Sequence, residues 1–133
     1  MIVIDTHVLI WLRAGSHRIG LRTRREVDRA LQANEAAVSA VSFWEVALLQ
    51  EKRRIELDFE VSEWRRLLLH EGLVEIPLDG QIAVRAASLE GFHRDPADRF
   101  IVATALVGGC PLISADERIL AWPGGLRCQR PSD

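Results

Sequence analysis

The chain has 133 residues, 48% of them hydrophobic, with 19 acids against 17 Lys and Arg and a formal net charge of -2. That length suits one domain able to bury a core, so a single domain over 1–133 is expected. No apolar run approaches the roughly 20 residues that a bilayer span requires. Asp5 breaks the first apolar stretch and no basic leader precedes it, so the chain is expected to stay in the cytoplasm. Cys110 and Cys128 lack metal-ligand spacing and read as small buried hydrophobes, not as a zinc or redox pair.

Met1 to Asp5 is a short β-branched run suited to a central buried strand. Thr6 to Leu12 reads as a short helix ended near Gly15. Gly20 to Ala33 is an amphipathic helix, with Leu21, Val27, Ala30 and Leu31 at helical spacing and Asn34 at its stop. Ala36 to Ala40 returns to strand character. Ser42 to Lys52 is helical, with Trp44, Val46, Leu48 and Leu49 on its apolar face, and Val61 to Glu71 is a further helix closed by Gly72. Leu73 to Pro77 reads as a strand and Gln81 to Leu89 as a helix ending at Gly91. Pro96 to Val107 is an almost wholly apolar helix stopped by Gly108-Gly109, so it must lie deep between other elements. Cys110 to Ser114 is a strand, Asp116 to Trp122 a short helix, and Leu126 to Gln129 a final edge strand. This alternation predicts an α/β fold, with a parallel sheet of four or five strands flanked by helices on both faces, because parallel strands need crossovers.

Asp5, Glu45, the pair Asp95 and Asp98, and Asp116 all stand where a strand gives way to a helix. Helix capping competes for each of them. Ser42-x-x-Glu45 and Ser114-x-x-Glu117 fit capping boxes, and Asp95 precedes a proline at the first helical position. Three features exceed capping. Asp5 and Asp116 follow strand ends that share one rim of the sheet. Asp98 is a second acid in a turn that Asp95 already caps. With Ser114 and Glu117 forming the box, Asp116 is left free, whereas Glu45 remains claimed by both accounts.

Carboxylates about 4 Å apart repel by roughly 4 kcal/mol per pair at an effective dielectric near 20, so a converging set needs a cation at its centre. Lys52 is the only lysine and falls at a helix end. An all-oxygen donor set without a Cys or His pair points to Mg²⁺ or Mn²⁺. Such ions polarise phosphoryl oxygens and ready a water for in-line attack, which is nuclease chemistry.

Removing those five acids from the 19 leaves 14 against 17 basic residues, nearly all of them arginine. Arg18, Arg22, Arg24, Arg25 and Arg29 fall close together and suit phosphate contact. Arg22, Glu26 and Arg29 also stand at spacings that give ordinary exposed ion pairs, and both readings stay open. Arg99, next to Asp98, either holds a carboxylate, touches phosphate or forms an ion pair within the rim. His7 and His93 flank the acidic segments and are candidates for substrate contact, while His17 and His70 read as surface residues. Trp44 and Trp64 are assigned to packing.

Val3-Ile4-Asp5-Thr6-His7, Ser42-x-Trp44-Glu45, Asp95-x-x-Asp98-Arg99-Phe100-Ile101-Val102-Ala103-Thr104-Ala105 and Leu112-Ile113-Ser114-Ala115-Asp116 together resemble a PIN domain. More narrowly they resemble the VapC toxins of type II toxin-antitoxin pairs, from Met1 to about Trp122. The resemblance implies a metal-dependent endoribonuclease, a hydrolase that uses Mg²⁺ or Mn²⁺ to cut RNA phosphodiester bonds and leave 5′ phosphate ends. On it, Asp5, Glu45, Asp98 and Asp116 match the catalytic, metal-holding quartet. Asp95 is a supporting acid and Ser114 a supporting hydroxyl. Asp5, Asp98 and Asp116 would fix the metal, directly or through its waters, and Glu45 would place the attacking water or a second ion. A homodimer and a small antitoxin partner are also implied, with Trp11 and Trp122 open to those contacts.

The alternatives are a PIN-like RNA-processing nuclease without an antitoxin, and a receiver or phosphatase-like α/β domain with an acidic Mg-binding rim. The second is disfavoured. Ser114 stands where a receiver wants lysine, and His7 where a dehalogenase-type phosphatase wants its second aspartate.

Overall fold

The β-branched run at the head of the sequence forms the central strand of a five-stranded parallel sheet. The computed structural model describes residues Met1–Asp133. Its strands are β1 (Ile2–Ile4), β2 (Ala36–Ser39), β3 (Val74–Ile76), β4 (Leu112–Ile113) and β5 (Cys128–Gln129), in the spatial order β3-β2-β1-β4-β5 with every pair parallel. Seven helices make the crossovers: α1 (Thr6–Ala14), α2 (Leu21–Gln32), α3 (Ala40–Glu51), α4 (Val61–His70), α5 (Gly80–Ala87), α6 (Pro96–Gly108) and α7 (Glu117–Leu120). None is long and apolar enough to cross a membrane.

Both faces of the sheet are covered, so its inner strands β1, β2 and β4 show no polar alternation. Ile4, Ala36, Val38 and Ile113 point to one face, against Val8 and Leu9 of α1, Val27 of α2, Phe43 and Val46 of α3, and Trp64 and Leu68 of α4. Val3 and Leu112 point the other way, against Ile101, Val102 and Ala105 of α6 and Ile119 of α7. The register pairs Val3 with Leu112 and Ile4 with Ile113, which keeps like-facing residues side by side. α6 is sandwiched: a third small cluster joins its Ala103 to Ile82 and Ala86 of α5. Contacts on two sides account for the nearly unbroken apolar sequence of α6.

The chain runs outward from β1 through β2 to β3, then returns over the opposite face to β4 and β5. Strand order therefore reverses at β1, and the crevice of a parallel α/β sheet opens at the carboxyl ends beside such a point. Asp5 immediately follows β1 there.

Several expectations are corrected. α3 begins at Ala40, not Ser42, because Ser39 ends β2 in extended conformation and its Oγ accepts the Val41 N–H at 3.2 Å. Ser42-x-x-Glu45 is therefore not a capping box, and both residues are released for other contacts. Trp44 is not a packing residue. It is 56% exposed, and Phe43 and Val46 fill the core in its place. Trp64 is buried as expected, edge-on to Phe43 at 6.1 Å. Cys110 and Cys128 are free and only half-buried. The Arg22–Glu26–Arg29 ion pairs do not form: Glu26 accepts from Gln129 Nε2 at 3.0 Å, and Arg22, Arg25 and Arg29 stay exposed.

Candidate active site

Asp5 leaves β1 with an extended backbone and caps α1, its Oδ1 accepting the Thr6 N–H at 2.8 Å. Its Oδ2 accepts from Ser114 Oγ at 2.7 Å, so a residue just past β4 steadies an acid just past β1. The adjacent registers of β1 and β4 make that contact possible. Ser114 Oγ also accepts the Asp116 N–H at 3.1 Å and thus ties the two acidic segments together. The expected Ser114–Glu117 box is absent. Asp116 itself caps α7, accepting the Arg118 N–H at 2.8 Å, and Glu117 turns away to Arg130.

Asp95 caps α6 as expected, accepting the Ala97 N–H at 3.1 Å ahead of Pro96. Asp98, in the same first turn, is surplus to that cap and only 7% exposed. Glu45 reaches in from the second turn of α3, where its Oε1 lies 2.5 Å from Thr6 Oγ1. Thr6 Oγ1 also lies 2.8 Å from Ser42 Oγ. An ionised carboxylate only accepts, so the single Thr6 proton goes to Glu45 and Ser42 donates to Thr6.

Asp5, Glu45, Asp95, Asp98 and Asp116 line one cleft of about 250 Å³ together with His7, Trp11, Ala115 and Arg118. The structure thus brings the four quartet acids and Asp95 to one place, with Ser114 beneath them. Burial, reinforced by Asp5, Asp95, Asp116 and Glu45, pushes the Asp98 carboxyl up to about 7. Burial also lifts Glu45 to about 6, with Asp5 and Asp95 adding to it and the Thr6 hydrogen bond opposing it. Asp5 is raised by burial in spite of its bonds from Ser114 and Thr6. Asp116 is different: burial works against its ionisation, but side-chain and backbone hydrogen bonds from Arg118 hold it below its ordinary value.

Sequence reasoning missed Thr6, Ser42 and Arg118, and left His93 as a flanking residue. Ser42 stands one helical turn before Glu45, the same spacing that suggested a capping box. His93 Nε2 is buried without a hydrogen-bond partner, 3.1 Å from Asp98 Oδ2. Ligand atoms of His93, Asp98 and Asp116 all lie within 4.8 Å of one another. Acids gathered in one cleft, with Asp98, Glu45 and Asp5 held above their ordinary values chiefly by burial, fit a divalent cation, which would relieve that cost.

Arg99 is not part of this cleft. One residue past Asp98 is a rotation of about 100° around the helix, and its guanidinium faces the α5–α6 connection. There it donates to the carbonyls of Ala86 at 2.8 Å, Phe92 at 2.9 Å and His93 at 2.9 Å. Trp122 is likewise used within the chain, edge-on to Phe92 at 5.4 Å and donating to the Glu90 carbonyl at 2.9 Å. Trp11 lines the cleft and carries Arg18 over its ring at 4.9 Å.

Ser114→Ala removes the donor to Asp5 and the acceptor for Asp116 while leaving the carboxylates in place. Calorimetric titration with Mn²⁺ is expected to show affinity about 10- to 100-fold weaker than wild type. Unchanged affinity would remove Ser114 from the site.

The PIN domain family matches residues 2–123 of this chain. Ribonuclease VapC22 of Mycobacterium tuberculosis (strain ATCC 25618 / H37Rv) is 34% identical over 119 residues, covering 89% of this chain and 88% of that protein. Among solved structures, a chain of a toxin-antitoxin complex from Klebsiella pneumoniae superposes with a TM-score of 0.66 at 24% identity, over 98% of each chain. VapBC2 from Rickettsia felis, bound to a DNA fragment from its promoter, gives 0.72 at 14% identity, again over 98% of each. These two show a shared fold. The chain belongs to the PIN-domain family, within its VapC ribonuclease branch.

Proposed function

We propose that the chain is a metal-dependent endoribonuclease acting as the toxin of a type II toxin-antitoxin pair. On this reading one PIN unit spanning 1–133 works in the cytoplasm as a homodimer, cuts RNA to leave 5′ phosphate ends, and is restrained by a small antitoxin. The observation that carries the reading is the convergence of Asp5, Glu45, Asp98 and Asp116, from four separate segments, on one rim cleft that strains for a cation. The ribonuclease name of the 34% identical relative supports the activity, and the toxin-antitoxin complexes among the structural neighbours support the partner.

Asp5, Asp98 and Asp116 would hold Mg²⁺ or Mn²⁺, with His93 beside Asp98. An ion held there would supply polarisation of a phosphoryl oxygen and a readied water for in-line attack. Glu45, lifted to about 6, takes a proton from the attacking water more readily than an ordinary carboxylate. Thr6, fixed in turn by Ser42, keeps Glu45 turned into the cleft. Ser114 holds Asp5 and the Asp116 backbone in one frame. His93, lowered by burial and by Arg118, accepts the Asp95 N–H at Nδ1 at 3.3 Å, so its Nε2 carries the proton and faces Asp98 Oδ2. Attack then displaces the 3′ oxygen.

The purified chain is expected to cut RNA with Mg²⁺ or Mn²⁺ and to stop on chelation. Asp5→Asn should be slower on the order of 10²-fold or more, and mapped fragments should carry 5′ phosphate. Cleavage by Asp5→Asn at the wild-type rate would sink the proposal.

A further inference from the structure

Arg118 is the single Arg or Lys side chain lining the acidic cleft. Its guanidinium lies against two of the acids, with Nη2 3.1 Å from Asp116 Oδ2 and 3.4 Å from Asp98 Oδ2, and Nε 3.3 Å from Asp116 Oδ1. Asp98 and Asp116 belong, with His93, to the group whose ligand atoms lie within 4.8 Å of one another and could close around a metal ion.

Two cations cannot share the position. A small divalent ion would draw an oxygen of each carboxylate to about 2.1 Å, whereas Nη2 now lies against Oδ2 of both. An arginine cannot leave by losing its proton, since it stays charged at any working pH. It must leave by moving. The means are present: its side chain is 59% exposed, and three of its contacts exceed 3.0 Å, at the loose end of the hydrogen-bond range. Its backbone stays fixed, because the Arg118 N–H is bound by the Asp116 cap at 2.8 Å. A displaced guanidinium is therefore tethered at the mouth of the cleft. In that place the complementary partner is a phosphate, which the planar fork of arginine engages in bidentate fashion.

We propose that Arg118 is a positioning residue that alternates between two anionic partners. It neutralises Asp98 and Asp116 while no metal is bound, and it engages a phosphate of the nucleic-acid strand once a divalent ion takes those carboxylates. The inference rests on the metal-dependent nuclease reading of the same cleft. It adds that metal entry and strand binding are coupled through one side chain.

The test uses the full chain and Arg118→Gln, first titrated calorimetrically with Mn²⁺ alone and then assayed on a single-stranded RNA oligonucleotide at saturating Mn²⁺. Removing a resident competitor is expected to tighten Mn²⁺ binding about threefold. Losing the phosphate contact is expected to raise KM about tenfold with little change in kcat. Arg118→Lys, which keeps the charge but not the fork, should recover only part of the KM loss. Unchanged or weaker Mn²⁺ binding in Arg118→Gln overturns the inference, as does an unmoved KM. If wild type takes up no Mn²⁺ that Asp5→Asn abolishes, the metal reading fails and this inference with it. Wild-type binding that Arg118→Gln leaves unaltered removes the inference alone.

Discussion

Asp98→Asn is expected to abolish most cleavage while making the metal-free protein more stable. Folding raises the Asp98 carboxyl from its ordinary 3.8 to about 7, through burial and four neighbouring acids. A carboxyl raised in this way binds its proton more tightly in the folded state, so stability falls as pH climbs between those two values. The penalty is absent below about pH 4 and complete above pH 7. Asparagine keeps the shape and discards the charge. Its gain should therefore be near zero at pH 4 and on the order of 2 kcal/mol at pH 8, read from urea unfolding at both pH values. Activity should fall by about 10²- to 10³-fold, the scale of losing one preorganised charged group. A variant no more stable than wild type at pH 8 would show that the acids do not strain one another. The expected gain would mean that the acids are placed for function at the expense of the metal-free fold.

Arg99→Ala should produce a large loss of stability although the residue lies outside the cleft. The guanidinium fills the gap between α6 and the α5–α6 connection and satisfies the carbonyls of Ala86, Phe92 and His93 together. Truncation strands all three, and a cost of about 3 kcal/mol is expected from charge-assisted bonds of this kind. Arg99→Lys should recover less than half, because an ammonium on a single stem cannot reach three divergent oxygens. The same change should weaken Mn²⁺ binding, since the connection positions the His93 ring beside Asp98. Unfolding free energies from urea for the two variants within about 0.5 kcal/mol of wild type, the size of an ordinary surface change, would refute the clamp.

The layered α/β fold was readable because strands buried on two faces appear as short unbroken β-branched runs, and helices between them keep a 3.6-residue rhythm. Strand order was not readable. Periodicity is local, whereas the place of β1 between β2 and β4 is set by tertiary packing, with α6 and α7 on the face opposite α1 to α4. The acids were found for similar reasons. Asp5 and Asp116 follow strands, and Asp98 exceeds what its turn needs. The hydroxyls were harder, because a serine that caps and a serine that buttresses look alike in sequence. Ser39 took the cap assigned to Ser42, and Asp116 took the one assigned to Ser114.

The two arginines show where helix arithmetic stops. Arg99 adjoins Asp98 in sequence but points away, as one helical step requires. Arg118 follows a capping residue, where side chain and N–H both fold back on the cap, so it meets Asp116 and then Asp98.

The bond between Ser114 and Asp5 spans 109 residues of chain. Pairings of that sequence separation form late, because the intervening loop must be closed before the contact repays it. During synthesis, a growing chain already holds Asp5, Glu45 and Asp98, yet β1 has an open edge and Asp5 has no hydroxyl partner until residues 112–116 are released and dock. The acids therefore cannot be gathered into one centre piecemeal. The cleft is thus completed by a late long-range pairing of the chain, when β4 docks beside β1 and Ser114 reaches Asp5.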